Sequence, residues 1–135
     1  MENTRFDILD TVGKIGCVLE SENFKDSAYM VDEELYTHCE KLGVAMNVPP
    51  FTALHFASIF FKCLEDEYIT VKELAGFFHL SLSEYRSLFQ ELNKLMDMGL
   101  VGKDESYSGR ISFFIPSEIK NKVYNNEVPM PEKLE

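Results

Sequence analysis

The amino-acid sequence predicts a mostly helical chain with one small β-hairpin, in which a pair of N-terminal helices precedes a helix-turn-helix. Three observations carry that expectation. Two helix starts of the same chemistry, at Thr70 and Ser81, stand eleven residues apart. A β-branched and aromatic run, Ile111 to Ile115, comes after the second helix and a turn-rich stretch. Ahead of both lies a segment, Phe51 to Leu64, that is apolar on nearly every face and therefore suits the centre of a core.

The first element runs from Arg5 to Glu20, where Phe6, Leu9, Val12, Ile15 and Leu19 recur at spacings of three and four. Gly13 and Gly16 each weaken this helix by about 1 kcal/mol relative to alanine; close packing against another helix is one reason to keep them. After the polar break Ser21-Glu22-Asn23, a second helical pattern extends from about Asp26 to Leu42. Its stripe is Ala28, Val31, Leu35, His38 and Leu42, and Gly43 stands where a left-handed terminus would fall. Two helices alone bury too little surface, so the pair must lean on the C-terminal part of the chain.

Pro49-Pro50 suits the first turn of the central helix. Next come Thr70-Val71-Lys72-Glu73 and Ser81-Leu82-Ser83-Glu84, two capping boxes in which a hydroxyl and a carboxylate satisfy each other's orphan amides. Apolar pairs, Ile69 with Leu74 and Leu80 with Tyr85, bracket the two starts as staples. The expected result is a short helix, Val71 to His79, and a longer one, Leu82 to Met98, that keeps Tyr85, Leu88, Phe89, Leu92, Leu95 and Met96 inside and stops at Gly99. Leu100 to Lys103 then reads as a strand, Asp104 to Arg110 as a polar turn, and Ile111 to Ile115 as a second strand, with Tyr68-Ile69 placed to add a short third. A closing helix from Pro116 to Tyr124 ends at Asn125-Asn126, and Val128 to Pro131 looks like an extended linker.

This order resembles the winged helix-turn-helix superfamily across residues 51–126. The chain as a whole is similar to the N-terminal region of certain bacterial AAA-type ATPases, where a helical pair precedes a winged helix and a proline-containing linker. The residues that carry the likeness are Leu42-Gly43, Leu74, Phe77-Phe78, Leu92 with Leu95, Gly99-Leu100-Val101 and Asn125-Asn126 through Pro131. It implies an N-terminal helical hairpin at 1–48, a winged helix at 49–126 and a linker-like tail at 127–135. It carries over no catalytic residue, because none of that family's nucleotide-binding motifs lies in this stretch.

The chemistry of the remaining residues bounds the function. The sequence has no GxxxxGK[ST] phosphate loop, and its histidines and cysteines do not fall at zinc-site spacings, so no cofactor, metal or catalytic set is expected. Cys17, Cys39 and Cys63 are odd in number and scattered, as expected of small buried hydrophobes in a reducing, cytoplasmic setting. No apolar run is long enough to cross a bilayer, and the first residues lack a signal-peptide pattern. The net charge of −10 repels free nucleic acid. That charge is uneven: residues 1–50 carry 4 basic and 10 acidic side chains, residues 51–126 carry 8 and 10, and the rest carry 1 and 3.

The helix-turn-helix half is thus close to neutral. Its outward face and hairpin would offer Lys72, Arg86, Ser87, Gln90, Asn93, Lys94, Lys103 and Arg110 to a nucleic acid or a partner. Glu84, Glu91, Asp104 and Glu105 stand among them and oppose phosphate. The charge balance therefore ranks a protein partner, or an ATPase domain of the same polypeptide, above DNA, and leaves a homo-oligomer open. A small DNA-binding transcriptional regulator is the alternative.

Overall fold

A computed structural model describes residues 7–20, 33–78, 80–107 and 110–129. Among the described residues, six helices and three strands run in the order α1 (Ile8–Glu20), α2 (Glu33–Met46), α3 (Pro50–Lys62), β1 (Ile69–Thr70), α4 (Val71–Phe77), α5 (Tyr85–Asp97), β2 (Gly102–Tyr107), β3 (Arg110–Phe114) and α6 (Ser117–Tyr124). The chain is mostly helical with a small antiparallel sheet, as its sequence predicts. The sheet order is β1-β3-β2, with Ile69 opposite Phe113 and Lys103 also opposite Phe113 on the other side.

Helix α3 is the centre. Every residue from Thr52 to Phe60 is buried, and α1, α2, α5 and β3 all pack against it. The helix begins at Pro49-Pro50, whose fixed φ suits the first turn, and its acid-free first turn leads straight into apolar sequence. Among the described residues no single helix is long and apolar enough to cross a membrane.

The N-terminal pair departs from the sequence reading in phase and in length. On α1 the buried set is Ile8, Thr11, Val12, Ile15, Gly16 and Leu19, while Leu9 turns outward. Gly16 is buried because the Phe61 ring of α3 occupies the space its Cβ would need, whereas Gly13 faces open space. Cys17 is exposed, not buried; Cys39 and Cys63 are buried as expected.

Helix α2 runs on past Leu42 to Met46, and Asn47, at φ 63°, makes the left-handed stop expected of Gly43. Gly43 sits inside the helix, where a Cβ would lie 2.7 Å from the Val48 carbonyl oxygen. Its lack of a side chain lets the chain fold back tightly between α2 and α3. The expected stripe positions Ala28 and Val31 lie outside the described residues, as does Phe6.

Both capping boxes are present. The Glu73 amide donates to Thr70 Oγ1 (3.1 Å) and the Thr70 amide to Glu73 Oε1 (2.9 Å). The Ser81 amide donates to Glu84 Oε1 (2.8 Å), and one turn of 3-10 helix, Leu82–Glu84, leads into α5. At the far end Gly99, at φ 78°, lets the Leu100 amide reach the Leu95 carbonyl (3.0 Å) and closes α5.

The hairpin is longer than its sequence suggests. Asp104 to Tyr107 continue β2 instead of turning, with an irregularity in register between Asp104 and Tyr107; residues 108–109 lie outside the described set. Phe114 lies across Gly102 on the neighbouring strand, so aromatic surface covers the bare backbone there. At the C-terminal end α6 stops at Asn126, at φ 58°, whose side-chain oxygen accepts the Ile8 amide at 3.0 Å and so ties the end of α6 to the start of α1. Val128 packs on the core and Pro129 is buried, where the sequence suggests a free linker.

Candidate partner-binding face

Helix α5 is fixed at both ends by local chemistry and along one side by burial of Leu88, Glu91, Leu92 and Leu95. At about 100° per residue, Arg86, Gln90 and Asn93 share an arc of about 60° on the opposite side. Ser87 and Lys94 flank that arc on one edge and Phe89 on the other, and all six are exposed. Five of the eight residues expected from sequence are thus brought onto one helix face. Lys72 is exposed on α4 and Lys103 on β2; Arg110 opens β3, but its side chain is outside the described set.

Three residues change the character of this face. Phe89, read from sequence as internal, is 42% exposed, and Leu82, in the turn that leads into α5, is 81% exposed. Conversely Glu91, read as a carboxylate on the outer face, is only 6% exposed. The stripe through Leu88, Leu92 and Leu95 leaves positions 89 and 91 as its two borders, and hydrophobicity alone would put the phenylalanine inside. The opposite outcome is decided by α3, which offers a polar partner: Thr52 Oγ1 donates to Glu91 Oε1 at 2.9 Å. No signal local to α5 reports that contact.

Lys94 then pairs with the other oxygen of Glu91, Nζ to Oε2 at 3.1 Å. Lys103 pairs with Glu105 at 3.1 Å. Two lysines expected to meet phosphate thus each have a carboxylate neighbour in the chain, buried for Lys94 and exposed for Lys103.

Behind the face lies His55 of α3. Its ring is 4.7 Å from Phe51 and 4.9 Å from Phe78, centroid to centroid. Nδ1 donates to the Phe51 carbonyl at 2.9 Å, since a carbonyl can only accept. Burial pushes the imidazole below its ordinary value of 6.5, while the Phe51 carbonyl and the Glu91 carboxylate pull it back up and Lys94 pushes it further down. Held neutral between two aromatic rings, His55 acts as a brace between α3 and the end of α4.

The two buried thiols are inert for the same reason: burial pushes Cys39 up to about 12 and Cys63 up to about 11. Among the described residues no three His, Cys, Asp or Glu side chains cluster in a way that could hold a metal ion. No family model, curated protein or solved structure matches this chain.

Proposed function

We propose that this chain is a non-catalytic winged-helix module that docks a protein through the exposed side of α5, as a regulatory or adaptor part at the N-terminal end of a bacterial AAA-type ATPase. The element order from α3 to α6, with β1 beside β3 in the sheet, supports the winged-helix reading. The observation that carries the docking reading is the make-up of the α5 face. Exposed Leu82 and Phe89 border Arg86, Gln90 and Asn93, while Lys94 and Lys103 are held by Glu91 and Glu105. Exposed aromatic and arginine side chains are what anchor protein interfaces. A phosphate-binding face needs free lysines and arginines, because neutralising phosphates is what supplies affinity for nucleic acid. The ATPase connection rests on the sequence resemblance, and a nucleotide-binding motif encoded in frame after codon 135 would support it.

A DNA-binding regulator is the second reading, favoured by the Arg86–Gln90–Asn93 arc, whose side chains suit guanine and adenine edges. A photo-crosslinking amino acid in place of Phe89 separates the two in cells. An adduct removed by protease and resistant to nuclease is expected; a nuclease-sensitive adduct would overturn the docking reading.

A further inference from the structure

We propose that the outer side of α1 is a second docking site, a groove that takes a basic amphipathic helix from a partner protein. The groove, about 600 Å³, runs along α1 from Asp7 to Val18 and is floored by Leu9, Val18 and the edge of Phe61. Three carboxylates, Asp7, Asp10 and Glu34, line it together with a single cation, Lys14, which is already bound to Asp10 at 3.1 Å. Gly13 sits in the floor with nothing within 4 Å of where its Cβ would be.

Shape and charge point to the same occupant. Glycine in the middle of a helix costs stability. The cost at Gly16 is explained by the Phe61 ring, but Gly13 meets nothing among the described residues. Absence of a side chain there lets another backbone approach α1 closely, as small residues do at tight helix crossings. From Asp7 to Val18 the groove spans about 16 Å, or roughly three turns of a partner helix.

The lining residues sum to −2, within a half of the chain that carries 4 basic and 10 acidic side chains. A second copy of this chain, itself at −10, is repelled, as are an acidic peptide and nucleic acid. A cationic helix with an apolar stripe satisfies the floor and the rim together. Phe61 also ties the groove to the rest of the fold, since its ring stacks on Phe77 of α4 with centroids 6.1 Å apart. This site is independent of the α5 face.

The test uses two fluorescent helical peptides of about 18 residues, one lysine-leucine and one glutamate-leucine, with the same apolar stripe. Each is titrated by anisotropy against the full chain, wild type and variants, at about 50 mM and 300 mM salt. The lysine peptide is expected to bind with a roughly micromolar Kd and the glutamate peptide at least about tenfold more weakly. Gly13→Leu is expected to reduce lysine-peptide binding at least about tenfold, whereas Gly76→Leu, an equally open glycine on α4, leaves it unchanged. Equal binding of both peptides, absence of binding, or equal loss in both variants would overturn the proposal. Gly13→Leu is also expected to raise Tm by roughly 3–5 °C through helix propensity. A lowered Tm would mean that the groove is filled by this chain's own residues, and would overturn the proposal too.

Discussion

The N-terminal helices and the C-terminal half, from α4 to α6, are built on the same central helix by different means. Helices α4 and α5 begin at hydroxyl-carboxylate pairs, and α5 stops at a left-handed glycine, so their limits are written in a few adjacent residues. Helices α1 and α2 are placed by what they press against on α3 and on each other, and α1 also by the bond from the Ile8 amide to Asn126. Local sequence is therefore sufficient for α4 and α5 and insufficient for α1 and α2. A capping box specifies a helix start without knowledge of the fold; the facing of an amphipathic helix is set by the surface that receives it.

The largest effect is expected where both halves meet. Phe56 is fully buried in α3, and Phe56→Ala should cost about 3–5 kcal/mol. Chemical denaturation monitored by circular dichroism should show one transition shifted as a whole, because both halves lean on that helix. Two separated transitions would show that the halves do not share one core.

Thr52→Val tests the buried link from α3 to α5. It removes the hydroxyl that donates to Glu91 and leaves a buried carboxylate short of a partner, at a cost of about 1–3 kcal/mol. Glu91→Leu made together with Thr52→Val should recover much of that loss, since both polar groups then leave. If the double variant is no better than the single one, the Thr52–Glu91 bond is not what turns Glu91 inward.

The caps should matter less and more locally. Thr70→Ala is expected to cost about 1 kcal/mol, with hydrogen exchange accelerated at the start of α4 and unchanged in α1. An equal acceleration in α1 would show that the cap at Thr70 holds both regions and not α4 alone.

A pH dependence sharpens the same contrast. His55 is held below 6.5 in the folded chain, so the unfolded chain takes up its proton first as pH falls. Its contribution to stability is complete above pH 6.5 and is lost as the pH falls towards the depressed folded value. His55→Phe, which keeps an aromatic ring between Phe51 and Phe78, should flatten the decline of Tm below pH 6.5. An unchanged slope would mean that the imidazole does not titrate between its aromatic neighbours.

Much of the architecture can be read from the residues. The central helix, both capping boxes, the Gly99 stop and the strand beside Tyr68 announce themselves through composition and spacing. Three features do not. Glu91 turns inward because of a threonine 39 positions away in sequence, and Phe89 turns outward as a consequence. Gly43 reads as a terminus, but the return of the chain at Val48 is what requires it to be small. Val128 and Pro129 have the composition of a linker yet lie on the body of the protein. The outward polar residues of α5 could be found by helical period alone; that Lys94 and Lys103 are already paired could not.

Lys94 also limits how the face can be probed. Removing it strips Glu91 of its ion pair, so Lys94→Ala perturbs the fold as well as the surface. Arg86 is exposed and is the cleaner substitution. On the protein-docking reading, the α5 face has no grip on phosphate. That reading is tested most directly by titrating the full chain with a fluorescent random-sequence DNA duplex at about 50 mM and then about 200 mM salt. No saturable binding is expected at either concentration, and no difference between wild type and Arg86→Ala. Saturable, salt-sensitive binding that Arg86→Ala weakens would contradict it.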